Sequence, residues 1–273
     1  MKKGYFETSD GAFLYYEDSE VGDTAIVLVP GHMCTTRFYE KNIPELMKEY
    51  RVVTFDCRGH GNSSKVLQKN NISGLADDIN ELLSFLDLKK VLLVGWSLAG
   101  SVVMTYAHKY HENRLIGIGL LDSCLFPFSP DEWNSYNSRN YNMDDWTAKY
   151  RIWYTDPETY LDNFCNRMRN ELSADELNMV RNEIRKMPPW IGFALHSDWC
   201  HRDCTPFLKE STVPFIIFSG TSKGHTPSLG RYYETQIRTY CEHHIFENAG
   251  HMLFWSHAEK FNQLIQSFIK RIS

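Results

Sequence analysis

The sequence predicts an α/β fold in which a mostly parallel, doubly wound sheet carries a helical insertion. The first observation is a set of short apolar runs, each followed by proline, aspartate or glycine, at residues 25–29, 51–55, 91–94, 115–121 and 214–219. The second is that segments with helical spacing of apolar residues separate these runs. The third is the stretch 124–206, where no such run occurs. Strand–helix alternation is typical of crossover units, and the stretch predicts an insertion before the penultimate strands.

The elements follow in order from local patterns. Residues 4–8 and 12–17 predict an antiparallel hairpin, because the Ser-Asp-Gly between them is typical of a tight turn. The five runs are continuously apolar, as in strands that are covered on both faces of a parallel sheet. Two helices are predicted from apolar residues at helical spacing, namely Leu75, Ile79, Leu82, Leu83 and Leu86, and then Phe261, Leu264, Ile265, Phe268 and Ile269.

The break in the alternation divides the chain. Residues 1–123 and 207–273 are predicted to form the α/β core, and residues 124–206 a helical cap. A length of 273 residues suits one α/β domain with such an insertion. Five of the seven tryptophans lie in the predicted cap: Trp133, Trp146, Trp153, Trp190 and Trp199.

Composition excludes several classes of protein. Apolar residues make up 42% and charged residues 23%, and the net charge of −5 argues against a nucleic-acid partner. No apolar stretch is long enough for a membrane span, and no secretory signal follows the first lysines. The seven cysteines are odd in number and scattered, as expected for reduced thiols in a cytoplasmic protein. We therefore expect a small-molecule substrate as the partner, and the sequence leaves the oligomeric state open.

The candidate nucleophile is Ser97. The buried run 91–94 leads into Gly95-Trp-Ser97-Leu-Ala99-Gly100, and a helix is predicted to follow. A serine on a sharp strand-to-helix turn needs small residues two places before and two places after it, and Gly95 and Ala99 meet that condition. The helix N-terminus also favours a developing oxyanion. The alternative is a serine that simply caps the helix.

The candidate general base is His251, because a serine hydroxyl is a poor nucleophile without one. It ends the segment Asn248-Ala-Gly250-His251, which lies on a predicted strand-to-helix loop late in the chain. The alternative for His251 is a structural or surface role.

The third member of a triad is a carboxylate that fixes the tautomer of the histidine. The loop at 220–226 contains no carboxylate, whereas Asp122 directly follows the fourth apolar run. Asp122 is therefore predicted to be the acid, with Asp198 and Glu247 as alternatives. Its other possible role is to stabilise a turn.

An oxyanion hole requires two backbone N–H groups. One is predicted to come from Leu98, the residue after the nucleophile. The other is predicted to come from His32, in the turn Pro30-Gly31-His32 that follows the first apolar run.

With these residues identified, the whole chain resembles the α/β-hydrolase superfamily. The segment Asp56-Cys-Arg58-Gly-His-Gly-Asn-Ser63 is similar to a structural turn of that family, and Pro30-Gly31-His32 is similar to its oxyanion turn, with proline in place of histidine. The segment from Gly250 onward is similar to an esterase and non-heme chloroperoxidase branch. Members of that branch often carry aspartate where this chain has Lys223, so the resemblance implies that the acid is Asp122. It also implies acyl transfer to water.

Together these residues predict a serine hydrolase that cleaves a small, hydrophobic carboxylic ester or lactone through an acyl-enzyme. No cofactor and no metal is required. Three alternatives stay open: a cofactor-free oxygenase that uses His251 and Asp122 as its base, a perhydrolase that uses Ser97 with hydrogen peroxide, and a non-catalytic ligand-binding member.

The substrate pocket is predicted from large apolar residues near the site or in the cap: Trp96, Met33, Trp133, Trp146, Trp153, Trp199 and Met252. Further aromatic candidates in the cap are Tyr136, Tyr141, Tyr154, Phe164 and Trp190. The alternative is that these side chains only hold the cap to the core. Cys200 and Cys204, near His196, are within zinc-ligand spacing, but no second pair follows, so no metal site is predicted.

Overall fold

A computed structural model describes residues 1–136, 142–166, 168, 171–222 and 226–273. Eight strands form one sheet in the order β1-β2-β4-β3-β5-β6-β7-β8. The strands are β1 (Lys2–Glu7), β2 (Phe13–Asp18), β3 (Ala25–Val29), β4 (Arg51–Phe55), β5 (Val91–Trp96), β6 (Leu115–Leu121), β7 (Phe215–Gly220) and β8 (Cys241–Phe246).

The described helices connect these strands. They are α1 (Ile43–Leu46), α2 (Ile72–Phe85), α3 (Ala99–Tyr110), α4 (Met143–Thr155), α5 (Pro157–Asn166), α6 (Ala174–Ile184), α7 (Pro189–His201), α8 (Phe207–Glu210), α9 (Ser228–Gln236), α10 (Leu253–Ser256) and α11 (Ala258–Ile272). Strands β3 to β8 are parallel to one another, and the N-terminal pair is antiparallel. The predicted α/β fold class is confirmed.

Strand β8 is the element that the apolar runs did not predict in full. None of the five apolar runs covers it, because Glu242, His243 and His244 interrupt any apolar run there. The strand lies at the edge of the sheet and pairs only with β7. Most of its residues are half-buried, so it does not need the continuous apolar pattern of a central strand.

Four helices, α4 to α7, fall within the stretch 124–206, between β6 and β7. That these helices make up a separate cap stays a prediction, and we refer to residues 124–206 as the insertion. The described part of the chain contains no helix that combines the length and the apolar character needed to cross a membrane.

The turn after β4 connects helix α2 with the N-terminal hairpin through side-chain hydrogen bonds. The buried Arg58 guanidinium donates to Asp78 of α2 at 2.7 Å and to Asp10 of the hairpin turn at 2.9 Å. Its hydrogen bonds hold the pKa of Asp10 well below the usual range. Gly61 has a φ of 43°, and a Cβ there would lie 2.1 Å from the Asp56 carboxylate. The motif around Arg58 therefore has a structural role.

His60, in the same turn, makes the fold sensitive to acid. Its side chain is 1% exposed, and its Nδ1 lies 2.9 Å from the Arg58 carbonyl oxygen. Burial lowers its pKa from 6.5 to about 4. The unfolded chain therefore takes up this proton before the folded chain does, and the stability due to neutral His60 is lost as pH falls from about 6.5 to about 4.

We expect His60→Asn, which keeps a donor toward the Arg58 carbonyl, to reduce the acid destabilisation by up to about 3 kcal/mol. The measurement is the free energy of unfolding in urea at about pH 7.5 and about pH 4 for both proteins. Because carboxylates also titrate over this range, only the difference between wild type and variant reports on His60. An identical loss in both proteins contradicts the prediction.

Candidate active site

The candidate active site lies at the C-terminal edge of the sheet, where the strand order reverses. β4 lies on one side of β3 and β5 on the other, so successive crossovers run in opposite directions from this point. Loops that leave neighbouring strands at such a point diverge and open a crevice. A cavity of about 200 Å³ lies here, and its wall comes from loops after β3, β5 and β8 and from the insertion.

Ser97 lies in the tight turn between β5 and α3. Its φ is 58°, a left-handed conformation that is strained for a residue with a side chain. The turn demands a glycine at position 95, because a Cβ there would lie 2.4 Å from the Ala99 carbonyl oxygen. The Ser97 N–H donates to the Leu121 carbonyl at 3.0 Å, which anchors the turn on β6. The Ser97 side chain lines the cavity.

The His251 ring is held by Asp122. Nδ1 of the ring lies 2.6 Å from Oδ2 of Asp122, and the two side chains are 29% and 13% exposed. A carboxylate at Nδ1 selects the tautomer with its proton on that nitrogen, which makes Nε2 the acceptor. The Trp96 indole N–H donates to the His251 carbonyl at 3.0 Å and fixes the backbone beside the ring. His251 lines the same cavity as Ser97.

The backbone of Asp122 is held in place by the sheet. It directly follows β6, has a φ of 42°, and donates its N–H to the Phe218 carbonyl at 2.9 Å. This bond continues the ladder between β6 and β7 past the end of the strand. The side chain of Asp122 is thereby fixed on a rigid element.

The other carboxylates considered from the sequence have partners elsewhere. Asp198 accepts from the Ile72 N–H at 2.8 Å and from the Arg202 guanidinium at 3.0 Å. Glu247 accepts from the Thr221 hydroxyl at 2.9 Å. Lys223 stands where members of the esterase and non-heme chloroperoxidase branch often carry aspartate. It lies outside the described residues.

The two segments predicted to form an oxyanion hole lie beside Ser97. Leu98 directly precedes α3, where helix N–H groups have no partner within the helix. The loop after β3 approaches closely, because a Cβ on Gly31 would lie 3.1 Å from the Ser97 Cβ. The His32 ring reaches the insertion, with Nε2 3.0 Å from the Tyr150 hydroxyl. The roles of both N–H groups stay predictions.

Three of the seven predicted pocket residues line the cavity, namely Trp96, Trp146 and Trp199, as do the further candidates Tyr136 and Phe164. Tyr141 lies outside the described residues. The other four predicted pocket residues are not among the described residues of the wall: Met33, Trp133, Trp153 and Met252.

The physical reason is that these four side chains pack elsewhere. Trp133 stacks on Tyr232 at 4.3 Å between ring centroids, and Trp153 stacks on Tyr160 at 4.5 Å. Met33 and Met252 are both 0% exposed within the core.

The wall also contains residues that the sequence did not indicate as pocket residues: Cys34, Phe38, Tyr160, Met168, Glu171 and His196. Cys34 and Phe38 closely follow the predicted oxyanion turn, so their position in the sequence could have indicated them as pocket residues. Nothing in the local sequence distinguishes Glu171. Burial raises the pKa of the Cys34 thiol well above its usual value, so this thiol is not an activated nucleophile.

The cysteines considered for zinc face different partners. Cys200 Sγ lies 3.5 Å from Nδ1 of His196, whereas Cys204 Sγ lies 3.6 Å from the Thr105 hydroxyl. Within the described ranges, no three histidine, cysteine or acidic side chains come together in a way that could hold a metal ion.

Comparison with known proteins identifies the family of this chain. The model of the alpha/beta hydrolase family matches residues 26–264. The chain therefore belongs to the α/β-hydrolase family, and the resemblance seen in the sequence is confirmed.

Individual relatives cover nearly the whole chain. The chain is 23% identical to 3-oxoadipate enol-lactonase 1 of Acinetobacter baylyi, over 86% of this chain and 84% of the relative. It matches the crystal structure of a bromoperoxidase from Bacillus anthracis with a TM-score of 0.89 at 21% identity, over 98% of this chain and 100% of the other. It matches an esterase from Exiguobacterium antarcticum with a TM-score of 0.86 at 22% identity, over 97% and 98% of the two chains.

Proposed function

We propose that this hydrolase cleaves a small, hydrophobic carboxylic ester or lactone with Ser97 as nucleophile, His251 as base and Asp122 as acid. The observation that carries the proposal is the strained turn that brings Ser97 to the same cavity as His251, whose ring is 2.6 Å from the Asp122 carboxylate. Backbone strain of this kind persists where the surrounding structure enforces it, and it concentrates at active sites.

The mechanism follows from these positions. His251 accepts the Ser97 proton while Oγ attacks the carbonyl carbon, and the N–H groups of Leu98 and His32 bind the oxyanion. His251 then gives the proton to the leaving alkoxide, and a water molecule hydrolyses the acyl-enzyme by the same route. Asp122 stabilises the imidazolium that forms in both halves of the reaction.

The proton transfer requires an adjustment within the site. No hydrogen bond joins Ser97 Oγ to the His251 ring in the part of the chain that the structure describes. Such bonds are often long before substrate binds and tighten in the reacting complex. We expect substrate binding to bring the Ser97 hydroxyl and the His251 ring, which is 29% exposed, into contact.

The cavity supports the substrate class. A volume of about 200 Å³ suits a small molecule, and the wall carries aromatic rings from Trp146, Trp199 and Phe164. An enol-lactonase and an esterase are among the related proteins. Both names describe hydrolysis of an ester bond, cyclic in the first case.

A fluorophosphonate probe tests the proposal directly, because it bonds covalently only to an activated serine. We expect one adduct per chain, mapped by peptide mass to Ser97, and no adduct on heat-denatured protein. A panel of p-nitrophenyl esters and lactones then defines the substrate.

Absence of the adduct contradicts the proposal and separates the alternatives. Oxygen uptake without labelling indicates a cofactor-free oxygenase, and ligand binding without turnover indicates a non-catalytic member. Labelling with peracid formation from hydrogen peroxide indicates a perhydrolase that uses the same serine.

A further inference from the structure

Glu171 brings a carboxylate into the cavity that the hydrolytic mechanism does not use. The residue lies in the insertion just before α6 and lines the same cavity as Ser97 and His251. Its backbone N–H donates to the Met168 carbonyl at 3.0 Å.

The carboxylate lies directly on the backbone of Gly250, the residue before His251. A Cβ at position 250 would be 1.9 Å from Oε1 of Glu171 and 2.5 Å from Oε2. Gly250 is not among the residues of positive φ, so its backbone conformation does not require a glycine. A side chain at position 250 would therefore displace the Glu171 carboxylate, and the glycine leaves room for it beside the candidate base.

One oxygen of this carboxylate is buried without compensation. Oε2 of Glu171 is inaccessible to solvent and has no hydrogen-bond partner among the described residues. A buried acceptor without a donor costs free energy, so a group that supplies the donor or a positive charge is stabilised there. A cationic ligand in the cavity would offset this cost once the Glu171 side chain turns its carboxylate toward the ligand.

The rest of the wall favours a cation. Among the described residues that line the cavity there is no lysine or arginine, and Glu171 is the one carboxylate. The Trp146 ring already carries the Lys149 ammonium at 4.7 Å from its centroid, and the wall also presents the rings of Trp199 and Phe164. Aromatic faces attract alkylammonium groups, and a carboxylate beside them adds to that attraction.

The three histidines of the wall do not oppose this preference. His251 is paired with Asp122 at 2.6 Å. The His196 ring packs on Trp146 with 3.7 Å between centroids, and Nε2 of His32 meets the Tyr150 hydroxyl at 3.0 Å.

We infer that Glu171 is a specificity-determining residue that selects substrates carrying an alkylammonium group. The inference rests on the proposed function for its substrate class, an ester or lactone, but the binding of the cation does not require turnover. The ammonium group lies against the Glu171 carboxylate and the aromatic wall, while the carbonyl group reaches Ser97.

Binding to the Ser97→Ala protein tests this without catalysis. The probes are choline and its uncharged isostere 3,3-dimethylbutan-1-ol, which have the same shape, and the measurement is isothermal titration calorimetry. We expect choline to bind about tenfold more tightly than the isostere. Equal or weaker binding of choline overturns the inference.

Further variants assign the preference to Glu171. Glu171→Gln, added to Ser97→Ala, preserves the shape of the side chain and is expected to bring the affinity ratio close to one. Gly250→Ala tests the same site by displacing the carboxylate and should also remove the preference. Glu132→Gln, an exposed change in the insertion, is the matched control and should keep the ratio. A ratio that survives both Glu171→Gln and Gly250→Ala overturns the inference.

The two proposals fail separately. Selective choline binding in a wild-type protein that neither labels with fluorophosphonate nor hydrolyses esters contradicts the proposed function and leaves the cation site standing. Labelling and ester hydrolysis without selectivity for choline support the proposed function and contradict the cation site. A thermal melt of every variant confirms that the compared proteins are folded.

Discussion

Ser97→Ala is expected to lower kcat for a p-nitrophenyl ester by about 10⁶-fold, because the loss of a triad nucleophile removes the acyl-enzyme route entirely. The change deletes one oxygen atom and leaves the turn intact, since the Ser97 backbone bond to the Leu121 carbonyl at 3.0 Å does not involve the hydroxyl. The residual rate reports what the oxyanion hole and substrate binding supply alone. The measurement is steady-state kinetics on protein whose thermal unfolding midpoint is unchanged.

Ser84→Ala is the matched control. Ser84 is exposed on α2, and its hydroxyl donates to the Asn80 carbonyl at 2.8 Å, away from the cavity. This variant is expected to keep wild-type kcat and KM. A Ser97→Ala protein that is folded and still turns over at a rate near that of wild type contradicts the role of Ser97 as nucleophile.

Asp122→Asn is expected to lower kcat by about 10⁴-fold. An amide in place of the carboxylate can offer its NH₂ group to Nδ1 of His251, which places the ring proton on Nε2 and removes the acceptor that Ser97 needs. It also leaves the imidazolium without a negative partner. Asp122 is not among the described residues of the cavity wall, so KM should change much less than kcat. Steady-state kinetics separates the two parameters.

Two further carboxylate variants identify the acid. Asp198→Asn and Glu247→Gln change the alternatives that the sequence left open, and both are expected to keep kcat within a few-fold of wild type. Their carboxylates bind the Ile72 N–H at 2.8 Å and the Thr221 hydroxyl at 2.9 Å instead. If Asp122→Asn is nearly as active as wild type while one of these variants is not, the assignment of the acid is wrong.

The parts of the fold that could be predicted are those whose signal is local. The strands β3, β4, β5, β6 and β7 are each a continuous apolar run ended by a turn residue, because both faces of a central parallel strand are buried. Strand β8 was incompletely predicted, because an edge strand contacts one neighbour and tolerates polar residues such as Glu242 and His243.

The same distinction applies to the candidate site. The turn at Ser97 could be predicted, because the small residues Gly95 and Ala99 that it requires are its near neighbours in the chain. The pocket wall could be predicted only in part, since Trp133 and Trp146 look alike in sequence, yet one stacks on Tyr232 and the other lines the cavity.

Local sequence patterns were enough to predict the fold class, the family and the candidates Ser97 and His251, because short-range sterics and apolar patterning fix a strand, a turn and a helix in place. The contact of Asp122 with His251 at 2.6 Å and the close approach of the Glu171 carboxylate to Gly250 arise only in the folded chain. Those contacts join segments that are far apart in the chain. Which side of each loop or helix faces the cavity depends on packing between these segments, and no local pattern records it.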